Sequence, residues 1–205
     1  MKNHGSYRRN KSSVALVIAV VLVMMPSISL AATNTGTGDI DGTALTNGTF
    51  DLSSAQLALF KRAFLASTGT ALGDGDTLPV GTQVKFMIYL NNNTDAAALD
   101  VSVQDILDNT TFLYDDLVDS IKVGTIASST CTGGGGTCLP AEELTIFNAV
   151  DGLPTALTSG PDGDAVSYTL ATTTIDAGDG AEAGNGQVDI AADTVWAMVF
   201  TVTMQ

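Results

Sequence analysis

The chain has 205 residues, with 8 basic and 22 acidic side chains, one histidine and a formal net charge of −14. Such a balance excludes nucleic acid and anionic membrane faces as partners, because both need clustered Lys and Arg. His4 is the only imidazole, so histidine-based proton transfer or metal ligation is excluded from everything after it.

Lys2, Arg8, Arg9 and Lys11 form a basic leader, and Val14 to Met25 is an unbroken apolar run of 12 residues. Pro26 ends the run, and Ser29-Leu30-Ala31 puts small residues where a signal peptidase reads. This order predicts a secretory signal peptide over 1–31, cleaved after Ala31. The run falls short of the about 20 residues of a membrane-spanning helix. Four of the eight basic residues and none of the acidic ones lie in this leader, so the remaining 174 residues carry a formal charge of −18. Their basic residues are Lys61, Arg62, Lys85 and Lys122.

Residues 32–52 are rich in Thr, Asn, Gly and Asp, with isolated Ile40, Leu45, Phe50 and Leu52. They read as a polar N-terminal arm, either loose or an extended strand that pairs with another segment. Residues 53–205 read as one β-sandwich domain. Its first segment, 55–66, fits two patterns. Leu57, Phe60, Phe64 and Leu65 fall at helical spacing; as a strand, Ala58, Phe60, Arg62 and Phe64 share a face.

Gln83 to Asn91 alternates with period two. Val84, Phe86, Ile88 and Leu90 face one way and Lys85, Met87 and Tyr89 the other. Lys85 is expected at the solvent face, where its removal costs under about 0.5 kcal/mol. Leu99, Val101 and Val103 alternate with Asp100, Ser102 and Gln104, which predicts a strand with one wet face. Short apolar runs at 120–126, 143–150, 165–170 and 187–190 read as further strands between Asp/Gly/Pro turns. The last strand, Thr194 to Met204, is apolar on both faces: Trp196, Met198, Phe200 and Val202 against Val195, Ala197 and Val199. The pattern predicts an all-β, antiparallel β-sandwich.

Leu78-Pro79-Val80-Gly81, the strand through Asn92, and Leu99-Asp100-Val101-Ser102-Val103-Gln104-Asp105-Ile106-Leu107 carry a resemblance. They resemble the "conserved repeat" domain of prokaryotic surface proteins, the domain of unknown function eleven family. That resemblance covers about thirty residues and implies an immunoglobulin-like sandwich in a cell-surface protein. Asp108-Asn109-Thr110 departs from the Pro-x-Gly that often follows in the family, and the domain stands singly here. The motif implies strands and turns rather than a catalytic site.

Cys131 and Cys138, an even pair at short spacing in an exported chain, predict a disulfide around a glycine-rich loop. The Asp-rich turns are the candidate ligand positions. Asp74, Asp76, Asp162, Asp164, Asp176 and Asp179 would supply oxygens to calcium, although Asp-Gly is also ordinary turn chemistry. Asn47, Asn92 and Asn109 head glycosylation triplets. No nucleophile elbow or phosphate loop occurs, so no catalytic residue and no cofactor other than calcium is expected.

These features predict a secreted, non-enzymatic structural protein of the cell surface or of an extracellular filament or coat. Its partners would be other copies or surface proteins, with no membrane insertion of the mature chain. A calcium- or glycan-binding β-sandwich module is the first alternative, and an acidic secreted hydrolase the second.

Overall fold

A computed structural model describes residues 32–36, 39–40, 43–44, 48–52, 57–115, 120–160, 162–179 and 184–205. The predicted signal peptide and its cleavage site lie outside the described residues. The arm forms β1 (Ala32–Gly36), β2 (Asp39–Ile40), β3 (Thr43–Ala44) and β4 (Gly48–Leu52). β1 pairs antiparallel with β4, and β2 with β3 between them, as a ribbon separate from the other sheets.

The domain continues with β5 (Leu57–Leu65), β6 (Ala71–Leu72), β7 (Gln83–Asn92), β8 (Ala98–Val101), β9 (Val103–Ile106), β10 (Phe112–Leu113) and β11 (Lys122–Ala127). One helix, α1 (Pro140–Asp151), precedes β12 (Val166–Thr169), β13 (Thr174–Ala177), β14 (Val188–Ile190) and β15 (Thr194–Met204). The segment with two sequence readings is therefore strand β5. The result is an antiparallel β-sandwich with one added helix. Among the described residues no helix is long and apolar enough to cross a membrane.

The main sheet runs β6-β5-β7-β15, with both β10 and β11 on the far side of β15. β7 and β15 pair over their whole length, from Thr194 opposite Asn92 to Thr203 opposite Gln83. The second layer holds β12-β13-β9 and the pair β14-β8. Between the layers lies the main core: Val84, Phe86, Ile88 and Leu90 of β7, and Trp196, Met198, Phe200 and Val202 of β15. They meet Val103, Val166, Ile175, Val188 and Ile190. This is the face that the alternation predicted.

The opposite face of the main sheet is also covered. Met87, Tyr89, Val195, Ala197 and Val199 pack with Phe64 against Ile146, Phe147 and Val150 of α1. The run 143–150, read from the sequence as a strand, is helical. Pro140 opens the first turn, where its missing N–H costs nothing. Glu142 accepts the Leu139 backbone N–H at 2.7 Å. Leu139 has no acceptor side chain, so only the glutamate half of a reciprocal cap forms.

Two further expectations are corrected. Lys85 does not face open solvent: its Nζ donates to Asp151 Oδ1 and Oδ2 at 2.7 and 2.8 Å, beside the C-terminal end of α1. The predicted single wet face of 99–104 is broken. Four residues of β8 oppose three of β14, from Ala98–Ile190 to Val101–Val188, and Asp100 takes φ 53°. This bulge turns Leu99 outward while Val103 stays inside.

Candidate functional site

The four basic residues of 57–205 act as staples between layers. Lys61 on β5 reaches across to the second layer, where its Nζ lies 2.7 Å from both Asp105 oxygens on β9. The same ammonium sits over the Phe86 ring, 4.3 Å from its centroid. Arg62, one residue on, points to the other face. Its Nε donates to Glu143 of α1 at 2.8 Å. Lys85 and Lys122 both end on Asp151, Lys122 through the backbone oxygen at 2.5 Å.

Glu143 is the centre of the helix-side network. It is buried, and besides Arg62 it accepts the Tyr89 hydroxyl at 2.8 Å. Burial first, and then this hydrogen bond, hold the Tyr89 phenol well above its ordinary pKa. The hydrogen bond to Glu143 also raises Arg62. Phe60 stacks on Tyr89 with centroids 5.0 Å apart, and Phe64 on Phe147 at 4.0 Å. These are core-building contacts that tie β5, β7 and α1 together.

The predicted Cys131–Cys138 disulfide is present, with Cα atoms 4.3 Å apart. Its loop is more than a tip. Cys138 belongs to the helix-side core, and the Gly136 carbonyl accepts Asn91 Nδ2 at 2.9 Å. Asn91 Oδ1 accepts Ser128 Oγ at 2.8 Å. The loop thus closes one end of the helix-side core over β7. Replacing both cysteines by alanine should cost about 2–3 kcal/mol from the closed-loop entropy. Urea unfolding of the double variant, beside wild type with and without reductant, checks this.

The six candidate calcium aspartates do not converge. Asp74 and Asp76 lie in an exposed turn, where Asp76 Oδ2 accepts the Gly73 N–H at 2.9 Å. Asp162 and Asp164 both accept from Thr158, and the Thr158 hydroxyl leads the interactions that lower the Asp162 pKa. Asp179 is exposed; Asp176 alone is buried, at 2 %. Among the described residues no three His, Cys, Asp or Glu side chains cluster. Asn92, which heads a glycosylation triplet, is fully buried and its amide donates to the carbonyls of Ala96, Ile190 and Ala191.

The candidate interaction surface is a strand edge. β5 pairs with β7 on one side, and on the other with β6 only at Ala63 and Phe64. Among the described residues, Leu57–Arg62 therefore shows an edge without a ladder partner. Leu59 on it is 57 % exposed. On β8 and β9 of the second layer, Leu99 and Ile106 are 66 % and 73 % exposed. Sequence reasoning expects an open edge for strand addition but does not assign it to a strand, because which edge stays open depends on the order of strands in the sheet. No family model, curated protein or solved structure matches the chain.

Proposed function

We propose that this chain is an exported, non-enzymatic structural subunit of a cell surface or extracellular filament or coat, joined copy to copy by strand addition. The observation that carries the reading is the open β5 edge directly following a separate two-stranded ribbon. An isolated two-stranded ribbon is marginal in water. Laying its outer strand along a neighbour's β5 would satisfy backbone groups on both. Ribbon and edge are different surfaces, so the contact is head-to-tail and builds a fibre rather than a closed pair. The resemblance of 78–107 to immunoglobulin-like surface domains supports the same reading. The −18 charge opposes assembly, so salt or divalent cations must screen it.

Sedimentation velocity of the protein with and without residues 32–52 tests the proposal. The expected result is salt-dependent polymer for the intact protein and a folded monomer for the deletion. A wild-type monomer at high concentration with salt and calcium, or equal polymerisation of the deletion, overturns it.

A further inference from the structure

The open edge of β5 selects what can lie along it, first through its inner face. Leu57 and Ala63 pack against the main core, and Lys61 reaches Asp105 in the second layer. Phe60 and Phe64 pack on the helix side, and Arg62 reaches Glu143 of α1. By this alternation Leu59 faces the space between the layers. It is nevertheless 57 % exposed. The sandwich is thus uncovered at Leu59, on the side where β9 is the last strand of its own sheet.

The ladder makes a second demand. The Leu65 N–H donates to the Thr70 oxygen at 2.9 Å, on the β6 side of β5. Backbone groups of a strand alternate between its two sides, so Leu57, Leu59 and Lys61 turn theirs to that same side, beyond the end of β6. The open stretch Leu57–Arg62 is six residues long, and β4 is five.

Charge makes the third. Lys61 and Arg62 are two of the four basic residues of 32–205, and they stand together at this edge. Each is paired within the domain, yet their side chains remain 39 % and 43 % exposed. A guanidinium has five N–H donors. Arg62 places Nε on Glu143 and Nη1 on the Lys61 oxygen, which leaves donors for a second carboxylate. The arm 32–52 holds Asp39, Asp41 and Asp51 and no basic residue. Arm and edge are therefore complementary in a chain whose net charge otherwise keeps copies apart.

One strand of the arm meets all three demands. β1 reads Ala-Thr-Asn-Thr-Gly and offers neither a large apolar side chain nor a charge. β4 reads Gly48-Thr49-Phe50-Asp51-Leu52. With Phe50 and Leu52 on the Leu59 face, alternation puts Asp51 on the Arg62 face. A slip of one residue would set Asp51 over Leu59 and both apolar residues beside Arg62, so the phase is specified. β4 pairs with β1 and not with β5 of its own chain. We propose that β4 of one copy adds to β5 of the next, with Phe50 and Leu52 covering Leu59 and Asp51 beside Arg62. This inference rests on the strand-addition reading and gives it a strand, a phase and a charge pair.

Sedimentation velocity of three variants, beside the deletion of 32–52, tests it. Leu59→Asp damages the accepting edge and Phe50→Asp the donated strand, so each alone is expected as a folded monomer. Mixed in equal amounts they hold one intact edge and one intact strand between them. The expected product is a dimer that grows no further. Asp51→Lys sets a cation beside Lys61 and Arg62 and is expected to abolish polymer. If wild type is monomeric, or the deletion polymerises equally, strand addition fails and this inference with it. If the deletion is monomeric but any of the three variants polymerises like wild type, strand addition stands and the pairing of β4 with β5 is overturned. If the mixture stays monomeric, β4 closes on its own β5 and a second copy as the occupant is overturned.

Discussion

Phe86→Ala should lower the unfolding free energy by about 3–5 kcal/mol, the cost of emptying an aromatic site in a packed core. The ring is 8 % exposed and lies between the two layers. It meets Phe112 edge-on at 5.2 Å and Phe200 at 5.8 Å, so one side chain joins β7, β10 and β15. It also underlies the Lys61 ammonium, and its loss removes the apolar platform beneath the Lys61–Asp105 staple. Leu59→Ala on the open edge is the control and should change stability by no more than about 0.5 kcal/mol. Urea unfolding of both variants decides the matter: the midpoint of Phe86→Ala should fall with the slope unchanged. Equal shifts in the two would mean that the register of β5 and β7 is misassigned.

The parts of this fold legible in the sequence are those fixed by local alternation. β7 and β15 show period two over ten and eleven residues, and both faces of β15 are buried as its composition implies. The helix was hidden by its own chemistry. Its core face is Glu143, Ile146, Phe147 and Val150, at helical spacing but with a carboxylate among the apolar residues. Leu144 is exposed on the outer side, which flattens the contrast between the faces. Pro140 and Glu142 were the start signals available. Once the helix was missed, the Lys85 side of β7 had nothing to cover it and read as wet.

The candidate sites were less legible still. Asp-Gly turns look alike in sequence, and only the pairing of β12 with β13 distinguishes Asp176, buried opposite Ser167, from five aspartates outside the core. Leu99 shows the same limit. Alternation placed it inside, and a bulge set by pairing with β14 placed it outside.

Glu143→Ala should cost about 1–4 kcal/mol and should act on the helix-side core alone. Two losses contribute. Tyr89 is fully buried, and its hydroxyl would lose its acceptor, which costs about 1–3 kcal/mol. The Arg62 side chain is 43 % exposed and can rehydrate, so its pair adds under about 1 kcal/mol. Tyr89→Phe separates the two, because it deletes the hydroxyl and leaves the Arg62–Glu143 pair in place. The alkaline limb identifies the phenol. Tyr89 has a folded pKa raised above its ordinary value of 10.0. The folded state then holds a proton that the unfolded state releases, and stability falls as pH rises. That contribution is complete below pH 10 and is lost as pH climbs toward the folded pKa. Urea midpoints measured from pH 8 to pH 11.5 should therefore decline more steeply in wild type than in Tyr89→Phe above about pH 10. Parallel curves for the two proteins would show that Tyr89 does not titrate differently in the folded and unfolded chains. The Glu143–Tyr89 hydrogen bond would then hold α1 to the sheet by geometry alone.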